Sequence, residues 1–361
     1  MADIQTPAKT VVLHIGLHKT GTSSIQATLK HNHGLLRRRG LLFPGFLPVN
    51  QSQFFINAFS DRAATYHANR RQGLGPVEIR QQARQHLRRL GEVLGRFDGG
   101  TVVLSAEDAC TFQPPEVARV RARLDGLGAD LPGGLAYRVL LYTRDPVAFV
   151  SSAMQENVKG NGMRLEDSKA VHIRNAAGRY RRIHDHWAAV FGAEAVQFRS
   201  FETACAAPGG LVADFLRTLG VAPGGIAPQM TNEGISDEVT EFLSSLYLPG
   251  TGAGPGQLQD CRMRVALTPE DRAVLFALRG SKGGLLPLQD RIRTWDAVAE
   301  DMRFLQEQYG IVYRRPEAED APAPGKFGAD FLRDLAAALP QLSEPARQAL
   351  LGYLLQRPPA A

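Results

Sequence analysis

Residues 11–30, VVLHIGLHKTGTSSIQATLK, decide how the rest of the chain is read. The short run Val11–Ile15, apolar but for His14, reads as a strand. A loop follows with Gly16, His18, Lys19, Thr20, Gly21 and Thr22, and it leads into Ser23, Ser24 and a helical pattern. A strand, a glycine- and hydroxyl-rich loop and a helix start aim backbone N–H groups at an anion. Lys19 adds a mobile cation, and Thr20, Thr22, Ser23 and Ser24 add hydroxyl donors. The common nucleotide loop, G-x-x-x-x-G-K-[ST], carries its lysine after the last glycine. Here Lys19 stands two residues before Gly21, so the ATP-type order is absent.

A second segment, RVLLYTRDPVAFVSSAMQENVKG at 138–160, repeats the strand-to-helix logic. Val139–Tyr142 reads as a buried strand. Asp145 and Pro146 supply an N-cap and a first helical residue, and the helix is expected to reach about Lys159 with Gly160 as terminator. Arg144 therefore falls at the carboxyl tip of a strand, and Ser152 on the second turn of the helix. Arginine offers a planar fork of donors that suits a phosphate, and a helix amino end favours negative charge.

Taken in this order, HKTGTSS and the Arg144/Ser152 pair resemble the sulfotransferases that use 3′-phosphoadenosine 5′-phosphosulfate (PAPS), most closely the bacterial carbohydrate-type branch. The resemblance covers about residues 10–312. It implies an α/β fold, a three-layer parallel sheet flanked by helices and similar to the P-loop-containing nucleotide hydrolases, with a helical C-terminal extension. It implies that His18, Lys19, Thr20, Gly21, Thr22, Ser23 and Ser24 hold the 5′-phosphosulfate, and that Arg144 and Ser152 hold the 3′-phosphate. The sulfuryl group would pass in line to a carbohydrate or glycolipid hydroxyl, leaving PAP. Lys19 would neutralise the leaving phosphate oxygen, and no metal is required.

The base that takes the acceptor proton is a histidine or a glutamate in such enzymes. Glu107 is the first choice because strand-tip carboxylates face the crevice, although a helix-capping role for Glu107 or Asp108 is an equal reading. His67 is the second. Related bacterial sequences carry an Asn-His-Ser-like stretch where this chain has Asn50-Gln51-Ser52, which removes a base from that point. His18 is expected to orient the loop or touch substrate. His14 reads as a core histidine, and His31 and His33 as structural residues at a helix end. Two alternatives stay open: a P-loop kinase or NTPase, and a non-catalytic PAPS- or nucleotide-binding protein acting through its C-terminal helices.

Composition sets the frame. The chain has 361 residues, 44% hydrophobic and 22% charged, ordinary for a globular protein. No apolar stretch approaches the roughly 18 residues that span a bilayer. The start, MADIQTPAKT, has no signal-peptide character, and Cys110, Cys205 and Cys261 form no metal pattern. A cytoplasmic protein is the expectation. The net charge is +6, with 35 arginines and seven lysines, which gives Lys19 added interest. The basic residues are spread and lack aromatic interleaving, so no nucleic-acid partner is expected. A small-molecule or glycan acceptor is, with peripheral contact to a membrane glycolipid and an oligomer through the C-terminal helices as further partner readings.

The remaining pattern alternates strands and helices, as a doubly wound parallel sheet requires. A helix is expected at 22–33, a short strand at 41–43, irregular chain at 46–75 with Phe46, Phe54, Phe55 and Phe59 as anchors, and an amphipathic helix at 77–95. A strand ending at Ser105 or Ala106, a helix at 116–125, one long helix at 168–191 and a strand at 195–198 follow. Residues 232–313 read as mainly helical. The domain expectation is 10–316 as one domain, 317–326 as a linker and 327–361 as a helical extension. In an open parallel sheet, ligands sit at the carboxyl ends of the strands. Lys19, Glu107 and Arg144 all fall there.

Overall fold

Five strands, β1 (Lys9–His14), β2 (Leu41–Leu42), β3 (Thr101–Ser105), β4 (Leu135–Thr143) and β5 (Val196–Ser200), pair in parallel in the order β2–β3–β1–β4–β5. The computed structural model describes residues 9–98, 100–174, 178–230, 234–248, 263–318 and 327–356. The chain divides into two compact units, and the sheet belongs to the first, which takes in Met1–Arg144, Arg179–Asn232 and Arg303–Ile311. After β3 the strand order turns back past β1 to β4, so the switch point lies at the tip of the central strand.

Side chains alternate between the two faces of the sheet. Val12, Val103, Leu140 and Tyr142 pack on one face with Ile25 and Leu29 of the helix Thr22–His31 and with Phe215 and Leu216 of the helix Gly210–Thr218. The alternate residues Val11, Leu13, Val102, Leu104, Val139 and Leu141 are buried too, and the helices Pro114–Gly128 and Arg179–Phe191 meet β4. Coverage on both sides explains the unbroken apolar runs. Tyr142 donates to Asp214 Oδ2 at 2.7 Å, and Arg199 forks onto the same carboxylate at 3.0 and 2.5 Å, which ties β4 and β5 to the helix Gly210–Thr218.

Three expectations need correction. The segment 46–75 is not irregular: it carries the helix Ser52–Phe59, a 3-10 turn at Ala63–Thr65 and the helix His67–Arg71. Tertiary packing makes the difference, because Phe54, Phe55 and Phe59 are buried with T-shaped ring contacts of 5.3–5.7 Å. The long helix expected at 168–191 is two, Leu165–Arg174 and Arg179–Phe191, and Gly178 before the second has φ 63°. The first helix does not reach residue 33. The helix ends at His31, where Asn32 Nδ2 donates to Thr28 O at 2.9 Å, and a second helix spans His33–Arg38.

The second unit takes in Asp145–Gly178, Glu233–Met302 and Val312–Ala361. Its described elements are helices, among them Pro146–Asn161, Asp237–Leu246, Pro269–Phe276, Ala329–Ala338 and Glu344–Leu355. Phe331, Leu335, Leu342, Ala346 and Leu350 from the C-terminal helices share one core with Val158, Phe242, Leu243 and Leu275. Most of the expected linker, from 319 to 326, lies outside the described residues, as do Cys261 and most of the glycine-rich loop at 248–256. Asp271 joins two helix starts: its carboxylate accepts the Thr268 N–H at 3.0 Å and the Ser343 N–H and hydroxyl at 2.8 Å each. Asp271→Ala leaves these part-buried donors without their acceptor and should cost about 1–3 kcal/mol. It should also raise amide exchange across Glu344–Leu355 more than in the sheet, as followed by hydrogen exchange.

His14, on β1, is fully buried opposite Ser105 of β3, and its Nδ1 meets Ser105 Oγ at 2.8 Å. Burial drives its pKa down to about 4, against a smaller opposing effect of Glu107. The folded state thus holds fewer protons than the unfolded chain between about pH 6.5 and pH 4. Stability from this group is complete above the unfolded value and is lost as pH falls through that window. His14→Leu should remove the dependence. Relative to the variant, the wild type should lose about 2 kcal/mol between pH 7 and pH 5 in urea titrations.

Candidate active site

The loop after β1 is built by the strand ladder itself. Pairing with β4 runs past the strand end: Tyr142 N–H donates to Gly16 O at 3.0 Å and Leu17 N–H to Tyr142 O at 3.4 Å. On the other side, Ala106 N–H donates to His14 O at 2.9 Å. Gly16 has φ 108°, and a Cβ there would stand 3.1 Å from the Glu107 carbonyl oxygen, so glycine alone fits between the tips of β3 and β4. The chain then turns through Lys19 at φ 64° and Gly21 at φ 70°, the N-cap of the helix Thr22–His31.

The hydroxyls of Thr20 and Thr22 both donate to the Leu17 carbonyl, at 2.6 and 3.0 Å, and both residues are buried. The hydroxyl donors expected from these two residues are therefore spent on holding the loop in shape. What the loop offers an anion is the set of first-turn amides, which have no intrahelical acceptor, together with the half-buried Lys19 and Ser23. Ser24 is buried within the same turn.

Around the tip of β3 stands a cluster of opposite charge. His18 Nδ1 lies 3.5 Å from Glu107 Oε2, and its Nε2 lies 3.2 Å from Asp108 Oδ1. Asn50 Nδ2 donates to Glu107 Oε1 at 2.8 Å, and Tyr66 donates its hydroxyl to Asp108 Oδ2 at 2.7 Å. Burial works against a charge on His18, but hydrogen bonds to Asp108, Cys110 and Glu107 prevail and raise its pKa well above the usual imidazole value. Burial likewise opposes ionisation of Asp108, and the His18 and Tyr66 hydrogen bonds overcome it and lower the pKa. Behind this cluster Gln51 is fully buried and clasps β3: its N–H donates to Ser105 O at 3.1 Å and its Oε1 accepts the Ser105 N–H at 3.0 Å.

Arg144 sits at the tip of β4. Its Nη1 donates to the Lys19 carbonyl, its guanidinium lies 5.1 Å over the Phe201 ring, and its backbone N–H donates to Tyr180 Oη at 3.0 Å. The first unit thus brings Lys19, His18, Glu107 and Arg144 to one edge of the sheet. His67 is exposed and stands beside Tyr66, ring centroids 4.3 Å apart. Ser152 belongs to the second unit, half-buried on the helix Pro146–Asn161.

Sequence reasoning passed over the roles of Asp108, Asn50 and Tyr66. Their signal was weak: an acidic pair just past a strand, and polar residues in a stretch without periodicity. Among the described residues no group of three or more His, Cys, Asp or Glu side chains could hold a metal ion, and no helix is long and apolar enough to cross a membrane.

No protein-family model and no curated protein matches the chain. Solved structures that resemble it in part include two sulfotransferases. A sulfotransferase from Alicyclobacillus acidocaldarius is 20% identical, over 66% of this chain and 90% of that one, at a TM-score of 0.40. A sulfotransferase domain from the curacin biosynthetic pathway is 13% identical, over 71% of this chain and 95% of that one, at a TM-score of 0.30. The parallel α/β architecture rests on this chain's own strand ladders.

Because Gly16 is wedged against the Glu107 backbone at a φ of 108°, Gly16→Ala should weaken folding by about 2 kcal/mol. Urea denaturation measures it. An unchanged midpoint would mean that the loop relaxes freely.

Proposed function

We propose that the strand-tip site binds PAPS and transfers its sulfuryl group to a hydroxyl, and that the protein is a sulfotransferase. One observation carries the reading. An anion loop with its own lysine and a carboxylate that can take a proton meet at the switch point of one sheet, joined by His18. The donor set suits the co-substrate: first-turn amides and Lys19 for the 5′-phosphosulfate, and Arg144 for a second phosphate. Ser152 comes to that second phosphate only through the sulfotransferase resemblance of its motif.

The bound co-substrate supplies an activated sulfuryl group whose leaving group is a phosphate. Lys19 and the loop amides stabilise the charge that grows on the leaving oxygen. Glu107, oriented by Asn50 and His18, takes the proton of the attacking hydroxyl. The helical segment from Ser52 to Arg71, reaching the carboxylates through Tyr66, is the surface that a carbohydrate or glycolipid hydroxyl would meet. A kinase reading is weaker. It needs a carboxylate open to Mg²⁺, whereas both strand-tip carboxylates face His18 at 3.5 and 3.2 Å.

Thermal shift with PAP against ATP·Mg²⁺ tests the reading. PAP at about a hundred times its Kd should stabilise the fold by about 2.7 kcal/mol, and no response to PAP would overturn the assignment. With ³⁵S-labelled PAPS and a panel of sugar acceptors, Lys19→Ala should lower transfer by about a hundredfold or more while the fold persists.

A further inference from the structure

We propose that Asp108, backed by Tyr66, is a positioning residue that holds His18 doubly protonated against Glu107, so that the cluster keeps one unbalanced negative charge for Glu107 to use. The part played by Glu107 rests on the sulfotransferase reading, whereas the state of His18 does not.

A neutral imidazole carries a single N–H, and its other nitrogen is an acceptor. Both ring nitrogens of His18 face carboxylate oxygens, Nδ1 at 3.5 Å and Nε2 at 3.2 Å. Only the imidazolium donates to both. Each carboxylate is fixed from its far side, Glu107 by Asn50 Nδ2 at 2.8 Å and Asp108 by the Tyr66 hydroxyl at 2.7 Å. The Asp108 N–H donates to Ser52 Oγ at 3.1 Å, which holds the backbone of this turn. The other groups facing the cluster are His14 toward Glu107, the Cys110 thiol beside His18, His67 toward Asp108, and Arg71 toward Tyr66. Lys19 follows His18 in the chain.

Two carboxylates and one imidazolium sum to a single negative charge. In the transfer step the acceptor O–H bond breaks and its proton goes to Glu107. The acceptor oxygen bonds to sulfur as the bridging S–O bond breaks, and that electron pair stays on the phosphate oxygen. His18 and Asp108 are then left as a balanced ion pair. Without the Asp108 charge, His18 and Glu107 already balance, and a proton on Glu107 would leave an imidazolium with no counter-ion. Glu107 then becomes a weaker base.

The test uses the full chain with ¹³C-labelled histidine, the His18 resonance being identified by its absence in His18→Gln. The wild-type His18 midpoint should lie above 6.5. Asp108→Asn should lower it by about one unit or more, and Asp108→Glu should restore part of the shift. A midpoint unmoved in Asp108→Asn overturns the proposal, with or without PAPS. In the second arm PAP release from PAPS is followed against pH with methyl glucoside as the hydroxyl probe. Asp108→Asn should lower kcat about tenfold, leave KM for PAPS within about twofold and move the acid limb to lower pH. An unchanged profile overturns the positioning role. A wild type that neither binds PAP nor releases it sinks the sulfotransferase reading instead, and the histidine titration still decides the state of His18.

Discussion

Parallel pairing of β1 with β3 on one side and β4 on the other governs every later feature of the first unit. The ladder does not stop at His14. It continues through Ala106 N–H to His14 O and Tyr142 N–H to Gly16 O, so the chain leaves the sheet only after Leu17. A side chain at Gly16 would press on the Glu107 backbone, in a left-handed conformation that favours glycine. The Leu17 carbonyl, fixed by the same ladder, becomes the acceptor on which the Thr20 and Thr22 hydroxyls close the loop. Loop shape is thus a consequence of strand register.

Charge at the sheet edge is arranged in two camps. On the β3 side stand Glu107 and Asp108, with His18 between them. On the β4 side Arg144 bonds the Lys19 carbonyl and lies over Phe201. On the proposed function, two uncompensated carboxylates beside the anion loop would repel a polyanionic co-substrate. One imidazolium lowers that field while leaving a proton acceptor in place. The arrangement also explains why His14 and His18 differ. His14 faces Ser105 and aromatic edges, and burial keeps it neutral, whereas His18 faces two carboxylates and stays charged.

The second unit uses buried carboxylates for a different purpose. Asp237 accepts the Gly284 N–H at 2.6 Å, Glu238 accepts the N–H and hydroxyl of Ser281, and Asp271 spans two helix starts. Burial, with Glu238 and Glu241 nearby, pushes the Asp237 pKa up to about 6 although the Gly284 bond opposes it. These residues hold loops and helix ends where the backbone has no partner of its own.

Local pattern was enough for the strands, for the loop that follows β1 and for the helix starts at Asp145 and Thr22, because apolar runs, glycine and capping residues act over a few neighbouring positions. It was not enough for the segment 46–75, where helix formation depends on Phe54, Phe55 and Phe59 finding a buried surface far away in the chain. Nor could it reveal that the hydroxyls of Thr20 and Thr22 turn inward, since the Leu17 carbonyl that takes them is positioned by β4. The acidic pair Glu107-Asp108 was visible as a pair, but its meaning was not. A carboxylate's role is set by what stands within about 4 Å of it, and here those neighbours, His18, Asn50 and Tyr66, come from distant parts of the chain that only folding brings together.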